Sequence, residues 1–289
     1  MASRSDPFES LRRPAPPLAP PDDFTASLRR RIEQELGMTI TQDRAETELE
    51  GTLAMVHLRV GDADRAMSFF AALLDWEAER VAFEGNVSYY TVNTEVTVRI
   101  LDDPSAPPLR PNYRVARVDL AVEAIRTAGG TVTASEVDDE GGGWAQGVDD
   151  QEVPLLVYRP RGHRGSVAPS RDPLGGDVGL VFIREDAARA ERFYASVLGW
   201  SLTRAHPGSH YFDAVPRVGV FDEAAAFRTD VTPSATLYVS VSALTPALER
   251  VTELGGSAGS ASQDMGPYYT AMCTDDQGTE FGLMAERLS

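Results

Sequence analysis

Asp62-Ala63-Asp64-Arg65-Ala66-Met67-Ser68-Phe69-Phe70-Ala71-Ala72-Leu73-Leu74-Asp75-Trp76 decides the fold, because the chain writes this stretch twice. Asp186-Ala187-Ala188-Arg189-Ala190 runs to Phe193-Tyr194 and closes on Gly199-Trp200, each residue 124 positions beyond its counterpart. Further on, Gly129-Gly130 and Asp149-Asp150-Gln151 return as Gly255-Gly256 and Asp275-Asp276-Gln277, now 126 positions apart. Self-similarity at so long a period marks duplicated modules and sets the architecture ahead of any local propensity.

Within the first copy, Ala66, Phe69, Phe70 and Leu73 recur at helical spacing, which predicts an amphipathic helix over Ala63 to Leu74. An apolar strand, Leu53 to Val60 with His57 inside it, precedes that helix, and strands near 77–83, 87–92 and 95–101 follow. After the proline-rich loop Asp102 to Pro111 the order repeats: a short strand near Tyr113 to Ala116, a helix to Ala128, and strands near 131–137, 143–148 and 153–158. That is βαβββ written twice within residues 52–160. A Gly, Pro, Ser and Arg-containing linker, 161–177, leads to a second module, 178–287. Its strands are predicted near 178–184, 201–206, 209–214, 217–221, 235–241, 257–260, 268–273 and 280–285, with helices near 187–198 and 244–254.

Residues 1–51 stand apart from this pattern. They comprise a proline-rich leader, a helix capped by Asp22 or Asp23 with Phe24, Leu28, Ile32 and Leu36 on one face, and a polar connector. The helix reads as packing on a module, with partner binding as the other use.

The chain has 289 residues, a length suited to two domains, and 42% apolar residues, enough for each to bury a core. No apolar run approaches the roughly 18 residues of a membrane span, and the leader has no signal-peptide core. A formal charge of −17 opposes attraction to nucleic acid or anionic lipid. The single cysteine, Cys273, excludes an internal disulfide and a cysteine-built zinc site, and fits a reducing cytoplasm.

The doubled helix motif, with the later Gly-Gly and Asp-Asp-Gln at matching distances, resembles the vicinal oxygen chelate superfamily of glyoxalases, extradiol dioxygenases and bleomycin resistance proteins. The resemblance implies an α+β fold of two glyoxalase-like modules, each built from paired βαβββ units that curl into a cup-like sheet. It also implies where a divalent metal would be held. The first ligand position falls seven residues before the helix-capping aspartate, at Met55 and Gly179; the second at Arg110 and Thr236; the third at Leu156 and Gly282. None of these is a usual ligand, so no metal or other cofactor is expected. His57 and Glu280, each two residues away, are the displaced candidates, but they belong to different modules.

The candidate ligand-binding residues are His57, Arg99, Trp144, His210, Arg217, Tyr268 and Tyr269. The arginines suit an anion and the aromatics offer flat apolar surface; of Tyr268 and Tyr269, strand alternation turns one inward. His206 and His210 flank Pro207-Gly208, a turn rather than a helical metal pair, and His210 reads as a rim residue. Trp76 and Trp200 read as packing, and Cys273 as buried and inert. The expected function is metal-independent binding of a small molecule, of the sequestration or resistance type. The alternatives are a metal-dependent lyase, isomerase or dioxygenase with displaced ligands, and a partner-binding protein using the N-terminal helix. A homodimer is the expected assembly if the cups are completed between chains.

Overall fold

A computed structural model of the chain describes residues 50–83, 86–103, 107–159, 176–222, 225–226, 233–259, 262–265 and 268–287. The proline-rich leader, the helix expected after it and most of the linker fall outside the described residues. Among the described residues no helix is long and apolar enough to cross a membrane.

The first module contains β1 (Leu53–Val60), α1 (Ala63–Leu74), β2 (Ala78–Phe83), β3 (Asn86–Thr91), β4 (Thr97–Asp102), β5 (Leu109–Arg114), α2 (Val118–Thr127), β6 (Thr131–Val137), β7 (Gly143–Val148) and β8 (Pro154–Arg159). Its strands form one sheet in the order β2-β3-β4-β1-β5-β8-β7-β6. The second module repeats it with β9 (Val178–Glu185), α3 (Ala187–Leu198), β10 (Thr203–Arg204), β11 (Tyr211–Val215), β12 (Val218–Asp222), β13 (Ser234–Ser240), α4 (Leu244–Glu253), β14 (Ser257–Ala258), β15 (Ser262–Met265), β16 (Tyr268–Thr274) and β17 (Glu280–Glu286). Here the order is β10-β11-β12-β9-β13-β17-β16-β14, with β15 beside β16. The first strand of each βαβββ unit runs parallel to the last, as β1 does to β4, and antiparallel to the first strand of the paired unit, as β1 does to β5. Each cup is therefore completed within the chain.

Three differences from the sequence reading have local causes. β5 is Leu109–Arg114, not a short strand at Tyr113 to Ala116, because Pro111 is tolerated: pairing with β8 starts at Asn112, so at Pro111 the strand has only β1 beside it. β10 shrinks to two residues before the Pro207-Gly208 turn. β15 was not predicted; its Ser-Gln-Asp-Met sequence carries no alternation signal.

The repeated helices start and stop as their sequences dictate. Asp62 accepts from Arg65 N at 2.9 Å and Asp186 from Arg189 N at 2.8 Å, each satisfying an otherwise unpaired first-turn donor. The chain then leaves through a left-handed residue, Asp75 at φ 56° and Gly199 at φ 71°. Both helices turn their apolar faces into a single core shared by the two modules. Phe70 meets the Phe281 ring of the second module with centroids 5.2 Å apart, and Tyr194 and Trp200 meet Tyr113 of the first.

The modules also exchange polar contacts in matched pairs. Arg65 on α1 pairs with Asp276, and Arg189 on α3 with Asp150, so the Asp-Asp-Gln turn of each module holds the helix start of the other. Gln277 Nε2 donates to Asp62 O at 3.0 Å and Gln151 Nε2 to Asp186 O at 3.1 Å. The turns thus do more than shape their own hairpins. Trp200 Nε1 donates to Gly51 O at 2.8 Å, and Trp76 Nε1 donates to Gly176 O. Gly51 and Gly176 need to be glycine: φ is +73° and +80°, and a Cβ would lie 2.3 Å from Leu198 O and 2.5 Å from Leu74 O.

Candidate functional site

Strand alternation sends Val56, Leu58, Val98, Ile100, Tyr113, Leu155 and Val157 into the shared core and their neighbours onto the opposite face of the first sheet. On that face His57 is in register with Arg99 of β4 on one side and Arg110 of β5 on the other. The next row holds Met55, Asn112, Leu156 and Gln146; one step beyond it Arg114, Tyr158 and Trp144 lie side by side. Arg59, two residues past His57, lies on the same face.

This is a cationic surface inside an acidic protein. Arg110 Nη2 sits 2.7 Å from His57 Nδ1, and its other terminal nitrogen, Nη1, donates to Gln146 Oε1. Arg99 Nη2 donates to Ser88 Oγ at 3.1 Å while its guanidinium covers the Tyr90 ring at 5.2 Å. Arg59 Nε is 3.6 Å from Asp103 Oδ2. Two further acidic side chains of this face, Glu79 and Glu136, stand exposed on its edge strands. The Nε atoms of Arg59, Arg99, Arg110 and Arg114 and the Oδ1 of Asn112 are buried without hydrogen-bond partners. Each such group costs about 1–3 kcal/mol relative to a satisfied one. Burial first, then the charges of Arg110, Arg99 and Arg59, push the His57 pKa down to about 2, so the imidazole is neutral. Burial, with Arg59 and Arg99 nearby, lowers Arg110 to about 10. A pocket of about 330 Å³ opens against the Arg99 flank, lined by Val87, Ser88, Leu101, Asp102 and Asp103 as well.

The second cup uses the same positions differently. Gly219, Phe182 and Thr236 form the row equivalent to Arg99, His57 and Arg110. Phe182 stacks on Tyr211 and Phe221 at 5.7 and 5.6 Å and meets Tyr238 edge-on at 5.8 Å. Leu180, Tyr238 and Met284 complete this cluster, with Tyr268 packed against it. A Cβ on Gly282 would lie 2.2 Å from the Tyr238 ring, and one on Gly179 2.4 Å from Met284 Sδ. The space left by these glycines is filled by the cup's own side chains.

The candidates named from sequence therefore separate. His57, Arg99 and Trp144 share the first cup's face, and Tyr268 faces the second cup. Tyr269 is 40% exposed on the other face of its strand, stacked with Arg287. His210 is half-buried at the rim, where its carbonyl accepts from Asp222 N at 2.9 Å. Arg217 is not free for a ligand: it donates to Val178 O and pairs with Glu95 of the first module. Cys273 is buried, its thiol pushed up to about 11 by desolvation. Arg59, Arg114, Asn112 and Tyr158 went unnamed. Arg59 stands two residues from His57 on β1 and Arg114 four from Arg110 on β5, spacings that keep each pair on one strand face, but only the sheet order brings β4, β1 and β5 together.

The fold is that of the vicinal oxygen chelate superfamily, two glyoxalase-like modules in the α+β class. Residues 179–284 match the family described as glyoxalase-like domain. The 2,3-dioxygenase LapB from Pseudomonas sp. KL28 superposes with a TM-score of 0.59 at 10% identity, covering 82% of this chain and 92% of that one. The Mn(II)-bound glyoxalase from Novosphingobium aromaticivorans gives 0.54 at 14%, covering 82% of each chain. The 2,2',3-trihydroxybiphenyl 1,2-dioxygenase from Sphingomonas wittichii strain RW1 gives 0.55 at 15%, covering 81% and 89%. No curated protein matches the chain in sequence.

The fold family implies a divalent metal, and the side chains present do not fit one. Met55 and Leu156 do share a row, but the residue between them is Asn112; Arg110, expected there, stands one row away beside His57. The equivalent row of the second cup is Leu180, Tyr238 and Gly282. A thioether, an amide and aliphatic or phenolic groups offer no carboxylate or imidazole set, and the arginine cluster repels a cation. Glu280 lies at the exposed start of β17, in a different module from His57. Among the described residues no three His, Cys, Asp or Glu side chains converge.

Proposed function

We propose that this chain is a glyoxalase-like protein that binds a small organic molecule in the cup of its first module without using a metal. The observation that supports this most is the asymmetry between the cups. Equivalent positions are filled by aromatic packing in the second and carry buried, unpartnered polar atoms in the first. Unsatisfied groups of this kind are costly in a folded protein and concentrate where a ligand completes them. A shaped, partly aromatic surface suffices for sequestration, and the half-buried Trp144 and Tyr158, neighbours in register, add ring surface to the same face.

Thermal-shift screening of the metal-free protein against a library of small metabolites tests the proposal. Stabilisation that is lost in Trp144→Ala and kept in Phe182→Leu supports it. Stabilisation by stoichiometric divalent metal with no organic ligand would replace it with a metal-dependent reading.

A further inference from the structure

The cup of the first module says more about its ligand than that it is small. Four guanidiniums, Arg59, Arg99, Arg110 and Arg114, share one sheet face of a chain whose formal charge is −17. Asp103 neutralises part of Arg59 at 3.6 Å, but the partners seen for the Arg99 and Arg110 heads, Ser88, Gln146 and His57, carry no negative charge. Like charges gathered on one partly buried face repel, and each keeps a buried Nε–H without an acceptor. A bound anion would supply both the missing charge and the missing acceptors. Guanidinium forks are matched best by a planar two-oxygen anion. One strand-row from Asn112 lie Tyr158 and Trp144, neighbours in register, which offer the ring surface an aromatic group stacks on.

We propose that the first cup takes an aromatic carboxylate, its carboxylate seated among Arg99, His57 and Arg110 and its ring on the Trp144–Tyr158 side. His57 contributes as a neutral hydrogen-bonding group within the cationic row. The second cup cannot do this, because Gly219, Phe182 and Thr236 stand in the equivalent row. The inference rests on the reading of the first cup as the working cleft and adds the charge and class of the occupant.

Isothermal titration of the full-length protein with 2-naphthoate, 2-naphthamide and inorganic phosphate tests it. The carboxylate is expected to bind, the uncharged amide and bare phosphate each roughly ten-fold more weakly, and carboxylate binding to weaken as salt rises. Arg99→Gln and Arg110→Gln are expected to weaken 2-naphthoate by roughly ten-fold or more, while relief of repulsion keeps apo Arg99→Gln, whose arginine holds no buried imidazole, at least as heat-stable as the parent. Equal affinity for acid and amide, indifference to both arginine variants, or no carboxylate binding at millimolar concentration would overturn the anion assignment. If Trp144→Ala then still abolishes binding of the amide, the cup reading stands without it. Binding that ignores the arginine and Trp144 variants but is lost in Phe182→Leu overturns both.

Discussion

Arg110 Nη2 lies 2.7 Å from His57 Nδ1, and since a guanidinium only donates, the imidazole accepts at Nδ1 and carries its proton on Nε2. Its folded pKa, pushed down to about 2, lies below the ordinary 6.5. Below the ordinary value the unfolded chain therefore binds a proton that the folded chain refuses, and stability is lost as pH falls. His57→Gln should soften this acid limb. At about pH 5 the parent is expected to have lost about 2 kcal/mol more than the variant, relative to neutral pH. Denaturant titrations at both pH values measure the difference, and nitrogen chemical shifts report the tautomer.

Glu185 is fully buried where the modules meet, beside Asp149, with Gln151 Nε2 donating to its Oε2 at 2.9 Å. Burial and the neighbouring Asp149 charge push its pKa far above the carboxylate range, and burial raises Asp149 as well, so the pair retains a proton. The folded state then binds more protons than the unfolded one above that range, and this site loses stability as pH rises. Glu185→Gln keeps the shape and the neutral form. It should be more stable than the parent by at least about 1 kcal/mol near pH 8, with the advantage disappearing toward pH 4.

Tyr194 OH donates to Asp149 Oδ2 at 2.9 Å inside the core. Tyr194→Phe strands that carboxylate oxygen and should cost about 1–3 kcal/mol in chemical denaturation. In the other half of the repeat the hydroxyl is missing: Phe70 occupies the equivalent place and Asp275 Oδ2 is buried without a partner. Phe70→Tyr is accordingly expected to hold or raise the melting temperature.

Gly282→Ala directs a methyl into the Tyr238 ring and should cost about 1–3 kcal/mol by overpacking. Ligand binding in the first cup should survive it, a contrast that one thermal-shift plate with and without ligand can read.

Much of this was legible from residues alone. The helix motif at Asp62 and Asp186 located both modules because capping and amphipathic spacing are local signals. Met55, Leu156 and Gly282 do lie in the rows expected of them, whereas Asn112, Leu180 and Tyr238 stand where Arg110, Gly179 and Thr236 were expected, because strand register is not a local signal. Arg217 was misread as a ligand residue, since nothing near it in the chain announces Glu95 as its partner. Tyr268 and Tyr269 were indistinguishable until the register Tyr268↔Glu286 and Tyr269↔Ala285 fixed which face each takes.

The amino-acid sequence by itself determined the duplication and the four βαβββ units. Only the tertiary structure decided that each Asp-Asp-Gln turn clasps the other module's helix, and that Gly51 and Gly176 receive the other module's last helical turn. It also decided that Arg99, His57 and Arg110 form one row while Phe182 closes the second cup. The physical reason is the same in each case. Periodicity, caps and turns act over a few residues, whereas lateral neighbours across strands, and contacts between modules, are chosen by hydrogen-bond register and by the burial of one shared core.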